Sequence, residues 1–183
     1  MLRNALILAL LAATPAFSQE DGSGPNLVIE VAGATTGTVI IDLLSDTAPK
    51  HVEQIIALAK EGAYDNVVFH RVIDGFMAQT GDVEFGKSGG NTARAGMGGS
   101  TRSDLPAEFS DISFDRGVVG MARSQNPDSA NSQFFIMFAP GEFLNGQYTV
   151  VGRVISGMDV VDTIAMGEPP AMPDRMSKVT VAP

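Results

Sequence analysis

The chain is expected to fold as a mainly β domain, an antiparallel barrel capped by two helices, and three observations predict it. Short runs suited to strands outnumber helical patterns roughly four to one. Most connections between them are short, as antiparallel neighbours require. The strongest local signal is VVFHRVIDGFMAQTGD at residues 67–82, where Asp74-Gly75 parts two apolar runs as in a hairpin. Closure of such strands into a barrel removes exposed sheet edges.

Residues 1–18 have the form of a secretory signal peptide rather than of structure. Arg3 supplies a positive start, residues 5–13 are apolar, and Ala16-Phe17-Ser18 offers small residues at the cleavage positions. The apolar stretch falls short of the ~20 residues that span a bilayer. Residues 19–26 are a polar, Gly-containing lead-in, and residues 27–183 form one domain. Roughly 165 residues remain after cleavage, enough for a sizeable core.

Residues 27–31 and 38–44 read as strands joined by a turn at 33–37. A helix follows, with Asp46 or Thr47 as its cap, Pro49 in its first turn and Gly62 at its end. Val52, Ile55, Ile56 and Ala59 form its buried stripe, and His51 falls off that stripe onto a solvated face. After the hairpin, residues 83–111 are long, irregular and Gly-rich. They lack the G-x-x-x-x-G-K-[ST] pattern of a phosphate loop, so their glycines are expected to admit close backbone approach. Residues 117–123 and 132–138 read as strands. In the second, Phe134, Ile136 and Phe138 share one face and Gln133, Phe135 and Met137 the other. Both faces are therefore covered, one by the core and the other by a helix, a ligand or a pocket wall. Residues 142–146 form a turn, 147–154 a strand, 158–166 a second helix and 176–181 the last strand.

Composition narrows function. With 12 basic and 21 acidic residues the formal net charge is −9, one unit lower once Arg3 is removed. No basic run is present, which argues against nucleic acid or an anionic membrane as partner. The absence of cysteine removes disulfides and thiol chemistry. Two histidines without ligand spacing give no metal site, and without a G-x-S-x-G elbow there is no hydrolase signature.

The hairpin carries the chemistry. Arg71 shares a strand face with Phe69 and Ile73, and lies opposite Ala78 if the turn holds two residues or opposite Gln79 if one residue bulges. Either register sets a permanent cation beside Phe76, Met77 and Gln79, a mixture that suits a binding site. The alternative is an edge arginine stacked on its neighbours.

Two stretches, FHRVIDGFMAQTGD (residues 69–82) and MARSQNPDSANSQFF (residues 121–135), resemble the signatures of cyclophilin-type peptidyl-prolyl isomerases. The segment FLNGQY (residues 143–148) resembles the third piece of that family's site. The resemblance implies a closed eight-stranded antiparallel barrel with a helix at each end and the site on its outer face. It implies Arg71 as catalytic residue and Phe76, Met77, Phe135 and Leu144 as a proline pocket. Gln79, Ala122, Arg123 and Gln133 would hold the substrate backbone and orient the arginine. Tyr148 stands where many members have His and Phe143 where many have Trp; the missing indole N–H argues against tight cyclosporin binding. The expected partners are proline-containing peptides and unfolded proteins, met by a periplasmic monomer that needs no cofactor and leaves the membrane after cleavage. A noncatalytic peptide-binding module on the same barrel is the rival reading.

Overall fold

The computed structural model describes residues 21–183; the leader assigned to residues 1–18 lies outside them. The described chain forms nine strands and two helices: β1 (Asn26–Ala32), β2 (Gly37–Leu43), α1 (Pro49–Lys60), β3 (Val67–Val68), β4 (Arg71–Ile73), β5 (Met77–Thr80), β6 (Val118–Met121), β7 (Phe134–Met137), β8 (Val150–Ser156), α2 (Met158–Asp162) and β9 (Arg175–Ala182). The strands make one antiparallel sheet in the order β3-β9-β1-β2-β8-β6-β7-β5-β4. It is curled, so the mainly β prediction stands, but it is not a closed eight-stranded ladder. The reason lies at Phe69-His70, which splits one expected strand in two. β3 pairs with β9 and β4 with β5, so the two ends of the sheet belong to one continuous stretch of chain. Phe69 N–H donates to the Asp174 carbonyl at 2.9 Å and His70 N–H to the Gln79 carbonyl at 3.2 Å. Two residues of backbone therefore join the seam.

Alternation along β1 and β2 sends Leu27, Ile29, Val31, Val39, Ile41 and Leu43 inward. α1 packs against β9 and α2 against β2. Val52, Ile55 and Leu58 from α1 and Met158 and Val161 from α2 enter the same interior cluster as Phe134 and Ile136. The other face of β7 gives Phe135 and Met137 to a second, outer cluster with Met77, Phe114, Val118, Leu144 and Val150. This second mass of side chains covers the face that the sequence left without a partner.

The start of α1 departs from expectation. Neither Asp46 nor Thr47 caps it; the N-cap is Ala48, which has no side-chain acceptor. The Glu108 carboxylate, from the long loop, accepts the N–H groups of Lys50 and His51 at 3.3 and 3.2 Å. It also bonds His51 Nδ1 at 2.7 Å. His51 is consequently buried, not solvated. Burial favours a protonated Glu108, but the hydrogen bonds from the His51 side chain and from both amides outweigh it and hold the acid below its ordinary value. α2 ends at Asp162, short of the expected 166; Thr163 and Ile164 N–H still donate back to the Val160 and Val161 carbonyls, and Asp174 accepts from Ala165 N–H at 2.9 Å.

Candidate active site

The hairpin pairs Arg71 with Gln79, Val72 with Ala78 and Ile73 with Met77. Phe76 N–H donates to the Ile73 carbonyl at 3.0 Å, and Gly75 sits at φ +66°, where a side chain would be strained. The turn closes over Asp74-Gly75 and leaves Phe76 as one extra residue, which selects the bulged register over the two-residue one. Phe76 is thereby pushed out toward the outer cluster.

Nine of the eleven residues singled out from sequence line one cavity of about 140 Å³: Arg71, Phe76, Met77, Gln79, Ala122, Arg123, Phe135, Leu144 and Tyr148. Its floor is the outer cluster. Phe135 stacks on Phe114 at 5.8 Å between ring centroids, and Tyr148 meets Phe135 edge-on at 5.9 Å. The Arg123 side chain is turned toward the protein itself. Its guanidinium lies 4.2 Å over the Tyr148 ring and donates to the Ser124 and Gln147 carbonyls, each at 2.9 Å. Tyr148 is thus clamped as a wall. Phe143 stands outside the cavity, largely exposed, with its ring centroid 5.5 Å from that of Phe76.

Gln133, the remaining residue, reaches the site through Gln79. Gln79 Nε2 donates to Gln133 Oε1 at 2.9 Å, and Gln133 Nε2 donates to the Gly98 carbonyl at 2.7 Å. Ala122 N–H is committed to the Gln133 carbonyl at 2.9 Å, so that donor is used within the fold. A second, larger cavity of about 560 Å³ adjoins the first and shares Gln79, Ala122 and Arg123 with it. Residues 96–100 form one of its walls, held by Asp82. That buried carboxylate accepts from Glu84 and Phe85 N–H through Oδ1 and from Gly96 and Gly98 N–H through Oδ2, at 2.7–3.1 Å. The loop glycines do admit close approach, and what approaches is the chain itself: a Cβ on Gly98 would stand 2.6 Å from Asp82 Oδ1.

The Arg71 side chain is partly exposed, and its Nε donates to Glu168 Oε2 at 2.7 Å. Sequence reasoning gave the orienting role to Gln79 and its neighbours and passed over Glu168, Asp82 and Asn131. The last, which lines the larger cavity, accepts from Ser100 N–H and donates to the Arg102 carbonyl. His70, in the link between β3 and β4, is buried. Burial pushes its pKa down, against the raising effect of the Asp82 carboxylate. Among the described residues no cluster of three or more His, Cys, Asp or Glu could hold a metal ion.

The family model for the cyclophilin type peptidyl-prolyl cis-trans isomerase matches residues 27–181. The chain belongs to that family. The protein of Brucella suis biovar 1 named "Probable peptidyl-prolyl cis-trans isomerase" is 62% identical over 152 residues, covering 79% of this chain and 78% of that one. The peptidyl-prolyl cis-trans isomerase cyp15 of Rhizopus delemar is 42% identical over 131 residues, 71% of this chain and 20% of that longer one. Among solved structures, the cyclophilin AquaCyp293 from Hirschia baltica superposes with a TM-score of 0.71 at 27% identity, covering 85% of this chain and 73% of that chain. A Cryptosporidium parvum cyclophilin, solved in the presence of the dipeptide Ala-Pro, gives 0.74 at 25% identity, covering 86% and 99%. The activity of this cyclophilin is peptidyl-prolyl cis-trans isomerisation.

Proposed function

We propose that this cyclophilin turns X–Pro bonds in newly exported, incompletely folded chains, with Arg71 as the catalytic residue and the adjoining cavity as the proline socket. One observation carries the reading: a permanent cation stands on the rim of a small cavity with an apolar floor of Met77, Phe135 and Leu144. Amide resonance sets a barrier of about 18–20 kcal/mol, so uncatalysed exchange takes tens to hundreds of seconds. Reaching milliseconds requires roughly 10⁴–10⁵-fold, about 5.5–7 kcal/mol. No bond is broken, so neither nucleophile nor metal is called for. The socket fixes the proline ring while the preceding carbonyl swings. Arg71 donates a hydrogen bond to the proline nitrogen as its lone pair localises, or to the turning carbonyl. The Ala-Pro dipeptide of the Cryptosporidium parvum structure supports proline-containing peptides as substrates here. The Phe143 ring supplies contact without an N–H donor, which supports weak cyclosporin binding.

The export part of the proposal rests on Arg3, the apolar residues 5–13 and the small residues before position 19, with a Brucella relative supporting a bacterial periplasm. The test is refolding of a proline-limited protein, and NMR exchange on an Ala-Pro peptide, with wild type and Arg71→Ala. Arg71→Ala is expected to lose about 10²–10³ in kcat while its circular dichroism is unchanged. Undiminished catalysis by that variant would refute the role of Arg71, and peptide binding without catalysis by wild type would favour a binding module. Recovery of the full chain unprocessed in the cytoplasm of a Gram-negative host would refute export.

A further inference from the structure

We infer that Glu168 is a positioning residue for the isomerisation, holding Arg71 by its Nε so that the rest of the guanidinium serves the socket; this rests on Arg71 being the catalytic cation. The sheet delivers that carboxylate. Beyond β4, the chain at Gly167 makes a two-bond antiparallel bridge with Val72, at 2.8 and 2.9 Å. That register sets Glu168 directly across from Arg71 on the face opposite Val72. The bridging backbone has little freedom. Gly167 sits at φ +143°, and a Cβ there would stand 2.7 Å from Pro170 Cα. Just before it, Ala165 N–H is tied to the buried Asp174 carboxylate, which also accepts from Thr35 N–H.

The geometry of the pair divides the guanidinium by function. Nε donates to Glu168 Oε2 at 2.7 Å, and the four Nη donors have no partner among the described residues while Arg71 lines the socket. The pair is well exposed, 41% for Arg71 and 53% for Glu168, so it contributes little to stability. What it supplies is orientation. A free arginine would have to give up rotamer freedom each time substrate arrives, and one already held by Nε gives up less. Glu168 makes no contact that would place it against the proline ring, so its effect falls on turnover rather than on binding.

The test uses the protein with Glu168→Ala, Glu168→Gln, Arg71→Ala and Arg71→Ala/Glu168→Ala, each assayed by NMR exchange on an Ala-Pro peptide. Glu168→Ala is expected to lower kcat about fivefold, which is ~1 kcal/mol at about 1.36 kcal/mol per factor of ten. KM and thermal unfolding should stay unchanged, and the Arg71 Nε–Hε resonance should lose its hydrogen-bonded shift. Glu168→Gln retains an oxygen acceptor and should recover most of the turnover. The double variant should be no slower than Arg71→Ala. A Glu168→Ala enzyme as fast as wild type, or faster, would overturn the inference, since the carboxylate would then be idle or a brake on the cation. An additive loss in the double variant would overturn it too. If Arg71→Ala itself keeps full activity, the reading beneath it fails instead.

Discussion

Gly120 is where the fold and the socket meet, and Gly120→Ala is the sharpest way to separate them. In the β6–β7 ladder Gly120 pairs with Phe135, so both look outward on the same face. A Cβ added there would stand 2.6 Å from Phe114 Cε1 and 2.6 Å from Phe135 Cζ. Carbon atoms rest at about 3.5–4.0 Å, so the rings must retreat by roughly 1 Å. Phe114 is the less free to move: its N–H donates to Asn145 Oδ1 at 2.8 Å and its carbonyl accepts from Gly141 N–H. Phe135 has open space on its far side, the 140 Å³ socket, so it should give way into that space. Overpacking of this kind costs about 1–3 kcal/mol of stability. A wall displaced by ~1 Å can cost up to ~10²-fold in catalysis. Urea denaturation reads the first figure and kcat/KM by NMR exchange reads the second. Adding Phe135→Leu should relieve the overlap and restore part of the stability, yet leave activity low because the stacked wall is gone. A Gly120→Ala protein with wild-type midpoint and wild-type kcat/KM would show that the rings are not packed against this backbone.

Two further outcomes concern the rest of the fold. Glu108→Ala removes the only side-chain acceptor, among the described residues, at the start of α1 and strands the buried His51 ring. It should cost about 1–2 kcal/mol in urea denaturation while kcat holds, because neither residue lines the socket. Acidification should destabilise the protein in two stages. Burial keeps His70 neutral in the fold below its ordinary value of 6.5, so the unfolded chain binds the extra proton. Stability is therefore complete above about pH 6.5 and falls as pH drops through it, with a second loss once Glu108, held below the usual carboxylate range, must also protonate. Urea midpoints at about pH 7.5, 6.5 and 5.5 check this, and His70→Leu should flatten the upper stage; an unchanged slope in that variant would mean that His70 does not titrate on unfolding.

The contrast between what was legible in the chain and what was not follows the range of the signals. Asp74-Gly75 announces the hairpin, because turn chemistry is local. It does not announce the register, because periodicity is blind to the one residue, Phe76, that the turn leaves over. The two apolar faces of β7 were legible, and they divide between the two clusters as the alternation requires. His51 was misread because the stripe on α1 records only what lies beneath the helix, whereas Glu108 arrives over its end from 57 residues away. Glu168 carried no signal at all. It sits in a proline-rich stretch 97 residues from Arg71, and only the bridge at Gly167 reveals that the two face each other. The eight-strand expectation failed at the seam for a similar reason, since a strand that changes partners halfway still looks like one strand in its pattern.

The outer cluster has a consequence of its own. Of its buried members, Phe135, Met77 and Leu144 line the socket, while Phe114, Val118 and Val150 do not reach it. On the proposed reading of the socket, the grip on a proline ring is the unfinished upper storey of a structure already standing, and the ring would be laid on it like the next course of masonry. Tuning for a different guest would mean disturbing the courses below, whereas the wall of the larger cavity beside it rests on the hydrogen bonds to Asp82 rather than on packed rings.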